Sequence, residues 1–215
     1  MAPLEEELSL RSRKKLRTRQ QIADAAVTLF AARGYDAVTV ADIARLAEVS
    51  EQTVYNFFSS KEQLVLDEDA AFEARLIKTV RERPDGKSLA ESVRADVQAF
   101  LDQLTRWPEG PQNKGGMPYL IVVSPALRRA WLEAVDRYGD SVARVLVEQS
   151  GGALSRSVAK VLGLSIVAVY AVILDEIGRG VEKGTGQHAV IEALRPQVND
   201  AVDRIASSLK SVEKE

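Results

Sequence analysis

The chain has 215 residues, 28% of them charged, and a formal net charge of −2. This length predicts one or two domains with a sizeable core, and the small total charge gives no sign of a nucleic-acid partner. Cysteine is absent, which excludes disulfides and thiolate metal sites and agrees with a cytoplasmic protein. The acidic N-terminus lacks the features of a signal peptide. The longest uncharged apolar run, residues 161–174, is shorter than the about 20 residues that span a bilayer, so no membrane partner is expected.

The first predicted element is a long helix from about Arg11 to Arg33, after a frayed lead over residues 1–10. Its apolar residues recur at helical spacing, and Gly34 is placed to end it. Six of the nine residues from Arg11 to Arg19 are Lys or Arg, and none is acidic. Such local clustering is typical of phosphate contact with a nucleic acid, although a solvated helix start or a disordered arm gives the same pattern.

Two short helices joined by a tight turn are predicted next, within VTVADIARLAEVSEQTVYNFFSSK at residues 38–61. Thr39 and Ser50 are each placed as an N-cap, with an apolar pair around the cap that forms a hydrophobic staple. Ser60 and Gln63 form a candidate capping box, which predicts a third helix start. A short helix, a turn and a second short helix make a helix-turn-helix unit.

The second short helix carries Gln52, Thr53, Tyr55 and Asn56. These side chains cannot all face a core, and they are able to contact base edges or phosphate oxygens without a fixed charge. An ordinary helical hairpin with a solvated polar face would show the same capping pattern. The caps alone therefore leave both interpretations open.

Between Arg17 and Leu64 the chain contains, in order, IADAAVTLFAARGYDAVTV, ADIARLAEVS, SEQTVYNFF and SSKEQL. This series resembles the DNA-binding domain of the TetR family of transcriptional repressors and covers about the first third of the chain. Two positions depart from the family pattern. Glu48 stands in the turn where the family usually has Gly, which costs about 1 kcal/mol if the backbone needs a positive φ. Asn56 stands where many members carry His.

The helices that follow are predicted from apolar periodicity and from turn residues. A fourth helix from about residue 61 to 82 would link the DNA-binding head to the rest, and a turn at 83–86 and a helix over 88–106 come next. Residues 107–118 hold three prolines and three glycines, which predicts a mobile loop or an irregular linker followed by a short helix. Ser124 and Pro125 then start a helix that runs to about Gln149.

Two long helices are predicted at the C-terminal end, one over 155–177 that is ended by Gly178 and Gly180, and one over 188–209. The first is apolar over most of its circumference, which favours more cover than one neighbour provides, although core packing within one subunit is the simpler explanation. In the TetR family the two C-terminal helices pair with their twins, so the resemblance implies a homodimer. The implied interface residues are Val158, Leu162, Ile166, Val169, Ile173, Leu194, Val198, Ala201 and Ile205.

The predicted fold class is all-α, with about nine helices and no credible strand. Residues 1–60 would form the helix-turn-helix DNA-binding domain, and residues 61–215 would form a helical effector-binding and dimerisation domain. The resemblance implies a regulator, most often a repressor, that binds a palindromic operator in double-stranded DNA and is released by an unknown small-molecule effector. The DNA-binding residues that it implies are Arg13, Arg17, Thr39, Ser50, Gln52, Thr53, Tyr55, Asn56 and Lys61.

The effector site is predicted only loosely, because aromatic and Met side chains with a few polar groups line most small-molecule pockets but also most cores. The candidates are Phe72, Arg94, Trp107, Met117, Tyr119, Trp131, Tyr138 and Tyr170. Trp107, Met117 and Tyr119 border the Pro- and Gly-rich loop and could form a lid. The arginines of this half leave an anionic amphiphile open as a ligand.

An enzyme is not expected, because the chain has no Cys nucleophile, nucleophile elbow, phosphate loop or metal-ligand spacing. Its single His, His188, stands at a predicted helix start. The pairs Asp67/Asp69 and Asp175/Glu176 are interpreted as helix surface, and no cofactor or metal is predicted. The alternative to a repressor is a helical ligand-binding or protein-interaction module without specific DNA binding.

Overall fold

The structure is a computed structural model that describes residues 10–66, 69–82, 86–107 and 109–209. Over these ranges it contains nine α-helices and two short 3-10 helices, and no strand. The prediction of an all-α fold with about nine helices is therefore confirmed. The predicted lead, most of the predicted 83–86 turn and the Asp67/Asp69 pair lie outside the residues or side chains that are described.

Three helices form the N-terminal head: α1 (Leu10–Arg33), α2 (Val40–Leu46) and α3 (Glu51–Phe57). The helix α1 ends where Gly34 takes a φ of +76°, as its position predicted. Its apolar stripe buries Ile22, Ala26 and Phe30, and the Phe30 ring lies 5.2 Å from the ring of Tyr35. The long helix therefore braces the two short ones.

The remaining helices form the body. They are α4 (Asp69–Arg81), α5 (Leu89–Thr105), α6 (Met117–Val123), α7 (Pro125–Gln149), α8 (Arg156–Lys183) and α9 (Gln187–Leu209). The helix α8 lies at the centre and packs against α6, α7 and α9. It crosses α7 closely, since a Cβ on Gly163 would lie 2.5 Å from the carbonyl oxygen of Gly139.

The predicted start of the fourth helix at residue 61 is wrong. A 3-10 helix spans Glu62–Leu64, and α4 begins only at Asp69. The Ser60 hydroxyl accepts the amide of Gln63 at 3.3 Å, but the Gln63 side chain accepts the amide of Ser59 rather than that of Ser60. The reciprocal contact of a capping box is therefore missing, and these residues close a tight turn.

The predicted end of α8 at residue 177 is also wrong, because Gly178 and Gly180 lie inside the helix. Both glycines permit close packing: a Cβ on Gly178 would overlap the Pro118 carbonyl oxygen, and one on Gly180 would overlap the Val190 side chain. The helix continues to Lys183. By length and composition α8 could cross a membrane, a criterion that the core helix of a soluble protein also meets, and half of its most apolar stretch is buried inside the subunit.

Candidate nucleic-acid interface

A reciprocal capping box starts α2. The Thr39 hydroxyl accepts the Asp42 amide at 3.1 Å, and the Asp42 carboxylate accepts the Thr39 amide at 3.1 Å. The Asp42 carboxylate also accepts the Thr39 hydroxyl at 2.8 Å. The hydrogen bonds that this carboxylate accepts from Thr39, first from the amide and then from the hydroxyl, lower the pKa of Asp42 to about 2, and Arg33 and Arg45 add to the effect. Thr39 is thus the N-cap that the sequence predicted, while the role of Asp42 was missed.

The turn between α2 and α3 contains a residue in the left-handed region. Glu48 has a φ of +54°, and it is the only residue other than glycine with a positive φ among those described. The turn is closed by the Val49 amide, which donates to the Ala44 carbonyl oxygen at 2.9 Å. The condition under which a residue other than Gly is costly at this position, a positive φ, is therefore met.

The helix α3 has one polar face and one buried face. Ser50 caps it by accepting the Thr53 amide at 3.1 Å, and the two hydroxyl groups lie 2.8 Å apart. On the inner face, Val54 is 1% exposed, and Phe58, which ends the helix, is also 1% exposed.

The outer face of α3 carries exposed Gln52, Tyr55 and Asn56, which recur at helical spacing. Tyr55 is 48% exposed. The Gln52 amide donates to the Asn56 side chain at 3.2 Å, which aligns the two amide groups one turn apart. An exposed row of hydrogen-bonding side chains on a short helix is the surface that base edges require.

Two cations near α3 point inward. Arg19 donates to the Phe57 carbonyl oxygen at 3.3 Å, and its guanidinium lies 4.5 Å from the centre of the Phe58 ring. The Lys61 ammonium donates to the Tyr35 carbonyl oxygen at 2.6 Å, and partial burial lowers its pKa. One of the three donors of the Lys61 ammonium is therefore used within the protein, and the prediction that Lys61 holds a phosphate stays a prediction.

The remaining basic residues of the α1 start face solvent. Arg13, Lys14, Lys15 and Arg17 are all exposed, whereas the side chain of Arg11 lies outside the description. The head thus presents an exposed basic helix start together with the polar face of α3. This is the combination of phosphate and base contacts that DNA-binding helices use.

The eight predicted effector residues do not meet in one place. Phe72, Tyr138, Tyr170 and Trp131 do form one aromatic cluster, with Phe72 5.2 Å from Tyr138 and 5.3 Å from Tyr170. Sequence analysis missed Phe100, which lies 6.0 Å from Phe72 and 5.5 Å from Tyr170.

The other four predicted effector residues lie outside this cluster. Arg94 forms an ion pair with Asp203 at the surface, and Trp107 is 43% exposed. Met117 and Tyr119 are half-buried on α6.

The Pro- and Gly-rich segment, whose bordering residues could form a lid, contacts both the head and the body. The 3-10 helix Pro111–Gly115 lies on α1, where a Cβ on Gly115 would overlap the Val27 carbonyl oxygen. On the body side, the His188 amide donates to the Glu109 carboxylate at 2.6 Å. The segment after Gly110 thus forms an irregular linker followed by a short helix, which is the second of the two predicted alternatives.

The predicted interface residues are mostly packed within their own subunit. Six of them are less than 9% exposed, namely Leu162, Ile166, Val169, Ile173, Leu194 and Val198. Ala201 and Ile205 are half-buried, and only Val158 is exposed. Because α8 is apolar on several faces, periodicity selected the face that α7 and α9 already cover. The exposed apolar face of α8 carries Val158 from the predicted set and also Val161, Ala168 and Val172.

The fold and this surface define a helix-turn-helix protein with a helical body. A family model described as "Bacterial regulatory proteins, tetR family" matches residues 22–67. The chain is 30% identical over 145 residues to the HTH-type transcriptional regulator TcmR of Streptomyces glaucescens. The aligned residues make up 66% of this chain and 64% of that protein. Residues 22–67 therefore match the TetR family, and the chain spans just under two thirds of the length of this relative.

Solved structures share the fold at low sequence identity. FadR of Bacillus subtilis, in complex with stearoyl-CoA, has a TM-score of 0.54 at 22% identity and covers 85% of this chain and 96% of its own. Native NalD of Pseudomonas aeruginosa, the secondary repressor of the MexAB-OprM multidrug efflux pump, has a TM-score of 0.58 at 14% identity and covers 88% of this chain and 96% of its own.

Proposed function

We propose that this protein is a cytoplasmic transcriptional repressor that binds a palindromic operator in double-stranded DNA as a homodimer and leaves it when a small molecule binds the body. The observation that carries the proposal is the outer face of α3, where Gln52, Tyr55 and Asn56 are exposed while Val54 and Phe58 anchor the helix from behind. Such an arrangement suits binding rather than catalysis, and the relatives that the chain matches are regulators.

In the proposed complex, α3 enters the major groove, and its side chains contact either bases or phosphates. Gln52, Thr53 and Ser50 contact bases, since a Gln amide can bond adenine at two atoms. Tyr55, Thr39 and Asn56 hold phosphates or neighbouring bases. Arg13 and Arg17, exposed on α1, contact the backbone and make the affinity fall with salt because phosphate contacts release counterions.

The homodimer would form through the exposed apolar face of α8. Val161 is 63% exposed and Val172 is 53% exposed, on a helix whose other faces are buried. Val158, Val161, Ala168 and Val172 recur at helical spacing, so they present one continuous stripe to a partner. A second copy related by a two-fold axis buries the same stripe on both sides. The two-fold axis then requires a palindromic operator.

In this proposal the effector binds at the aromatic cluster of the body. Phe72 belongs to α4, the helix that follows the head, so a ligand that moves Phe72 also moves α4. FadR was solved with stearoyl-CoA, which shows that a protein of this fold accommodates a small molecule. The ligand shifts operator binding only by favouring one of two arrangements of α4 over the other.

The test is a selection from random DNA duplexes with the purified full-length protein. We expect a palindromic consensus, and a complex mass that corresponds to an even number of protomers on each duplex. Enrichment of no sequence, with uniform salt-sensitive binding to every duplex, would favour the alternative of an interaction module. A palindrome bound by single subunits would contradict the dimer.

A further inference from the structure

A polar cleft opens between α4 and α5, next to the aromatic cluster. It encloses about 340 Å³, and the residues that line it include Arg75, Lys78, Lys87, Ser92 and Asp96. With Glu82, which also lines it, the cleft carries three cations and two carboxylates, a formal excess of one positive charge. Arg75 belongs both to this lining and to the aromatic cluster, because its guanidinium contacts the rings.

The Arg75 guanidinium lies close to three of these rings. Its central carbon lies 5.1 Å from the centre of the Phe72 ring, 5.0 Å from that of Phe100 and 5.7 Å from that of Tyr170. Its Nε lies 3.4 Å from an Asp96 oxygen, which also accepts the Tyr170 hydroxyl at 2.6 Å. Three rings and one carboxylate thus fix the plane of the guanidinium before any ligand arrives.

Two residues that line this cleft have buried donor atoms without a hydrogen bond in the described part of the chain. Nε and Nη2 of Arg75 are buried, and neither makes a hydrogen bond within the described part of the chain. The same is true of the hydroxyl of Ser92, a residue that is 8% exposed. A buried donor without an acceptor is costly, so an acceptor group that enters the cleft gains the full value of these bonds.

The geometry points to an acidic group as the occupant, and we propose that the cleft between α4 and α5 binds the carboxylate, or an equivalent oxyanion, of a small aromatic or aliphatic acid. Nε already faces the Asp96 carboxylate at 3.4 Å, so Nη2 is the donor of Arg75 that is left for the ligand's oxyanion. The Ser92 hydroxyl supplies a second donor. Lys78 and Lys87 add positive charge to the lining, and the ligand's apolar part lies against the neighbouring aromatic rings.

A neutral or cationic ligand fits this cleft less well. A cationic ligand would be repelled by Arg75. It could contact the rings of the aromatic cluster only if the Arg75 guanidinium moved away from them. A neutral amide carries no charge to complement Arg75, and it brings two donors of its own to a site that already has unpartnered donors. The Asp96 carboxylate opposes an incoming anion, but its oxygen is already shared between Arg75 and the Tyr170 hydroxyl.

This inference rests on the proposed function, because it assigns a ligand class to the effector that the function requires. The helix α4 is tied to α7 by hydrogen bonds from Ser141 to Glu73 and from Arg81 to Glu148, the latter at 3.0 Å. An acid held by Arg75 of α4 and Ser92 of α5 links α4 to its other neighbour. Binding of the acid would therefore bias the position of α4 relative to the head.

The test measures binding of three matched probes to the full-length protein without DNA, by isothermal titration calorimetry. The probes are 2-naphthoate, 2-naphthamide and 2-naphthylmethylammonium, which share a ring system and differ in charge. We expect 2-naphthoate to bind at least about tenfold more tightly than the other two, since hydrogen bonds to charged groups are the stronger ones. Equal affinities, or no heat with naphthoate up to millimolar concentration, would overturn the proposal.

Two variants locate the site, and one serves as a control. Arg75→Gln should weaken naphthoate binding about 10- to 100-fold, and Ser92→Ala, a small change that preserves the helix, should weaken it several-fold. Arg106→Gln, the same change at an exposed position at the end of α5 and outside the cleft, should leave it unchanged. Unchanged naphthoate binding in both Arg75→Gln and Ser92→Ala would also overturn the proposal. Because no DNA is present, a failed operator selection and a failed ligand site give separate results.

Discussion

The ammonium of Lys61 lies 4.0 Å from the centre of the Tyr35 ring and donates to the carbonyl oxygen of the same residue. This contact joins the segment after α3 to the segment after α1. Arg19 makes a similar contact from α1 to the end of α3, through the Phe57 carbonyl and the Phe58 ring. Arg19 and Lys61 thus help to orient α3, while the exposed cations at the start of α1 remain available to DNA.

Replacing Lys61 by Met should therefore reduce stability. The change removes a charged donor and a cation–π contact, and we expect the free energy of unfolding to fall by about 1–2 kcal/mol. Chemical denaturation followed by circular dichroism measures this. Lys14→Met, at an exposed position of α1, is the control and should leave stability unchanged while weakening DNA binding. Equal stability of the two variants would contradict the inward role of Lys61.

Glu48→Gly should stabilise the head. A residue with a side chain at φ +54° is strained, and Gly relieves this strain, so we expect a gain of about 0.5–1 kcal/mol after the entropic cost of Gly. Glu48→Ala keeps the Cβ and should show no such gain. The comparison of the two variants by thermal unfolding tests the prediction, which is refuted if they behave alike.

The capping box of α2 should make stability depend on acid. The pKa of Asp42 is about 2 in the folded chain, below its ordinary value of 3.8, because the ionised carboxylate accepts hydrogen bonds from Thr39. A lowered folded pKa means that the stabilisation is complete above about pH 4 and is lost as the pH falls toward 2. The stability difference between the native chain and Asp42→Asn should shrink over this window. A difference that stays constant from pH 4 to pH 2 would show that Asp42 does not act through its charge.

The contact between the linker and the head predicts opposite behaviour of two adjacent glycines. A Cβ on Gly115 would overlap the Val27 carbonyl oxygen of α1, so Gly115→Ala should cost about 1–3 kcal/mol. A Cβ on Gly116 would lie 3.3 Å from its nearest neighbour, the Asn113 carbonyl oxygen, and Gly116→Ala should be nearly neutral. The denaturation midpoints of the two variants test this prediction. If Gly115→Ala is as stable as the native chain, the linker does not pack against α1.

Features that depend on near neighbours in the chain could be predicted from the sequence. The caps at Thr39, Ser50 and Ser124 each involve an amide three residues on, so the residue types alone indicate them. Contacts between distant segments were not predictable. The residues that bond Arg19 and Lys61 are 38 and 26 positions away, so nothing local distinguishes these inward cations from outward ones.

The body shows the same limit. An apolar helix such as α8 has several faces that suit a core, and periodicity cannot show that α7 and α9 cover Ile166 and Ile173 while Val161 and Val172 stay exposed. Gly178 could mark either a helix end or a close crossing, and only the position of Pro118 decides between them. Arg75, absent from the predicted effector residues, gains its importance from rings on three different helices.

The central claim is that α3 contacts bases through its exposed side chains, and Gln52→Ala tests it most directly. Affinities of the native chain and the variant are measured for the selected operator and for a scrambled duplex at the same salt concentration. The account predicts about a 10- to 100-fold loss on the operator, from a lost bidentate contact, with no change on the scrambled duplex. An unchanged operator affinity, or an equal loss on both duplexes, would contradict it.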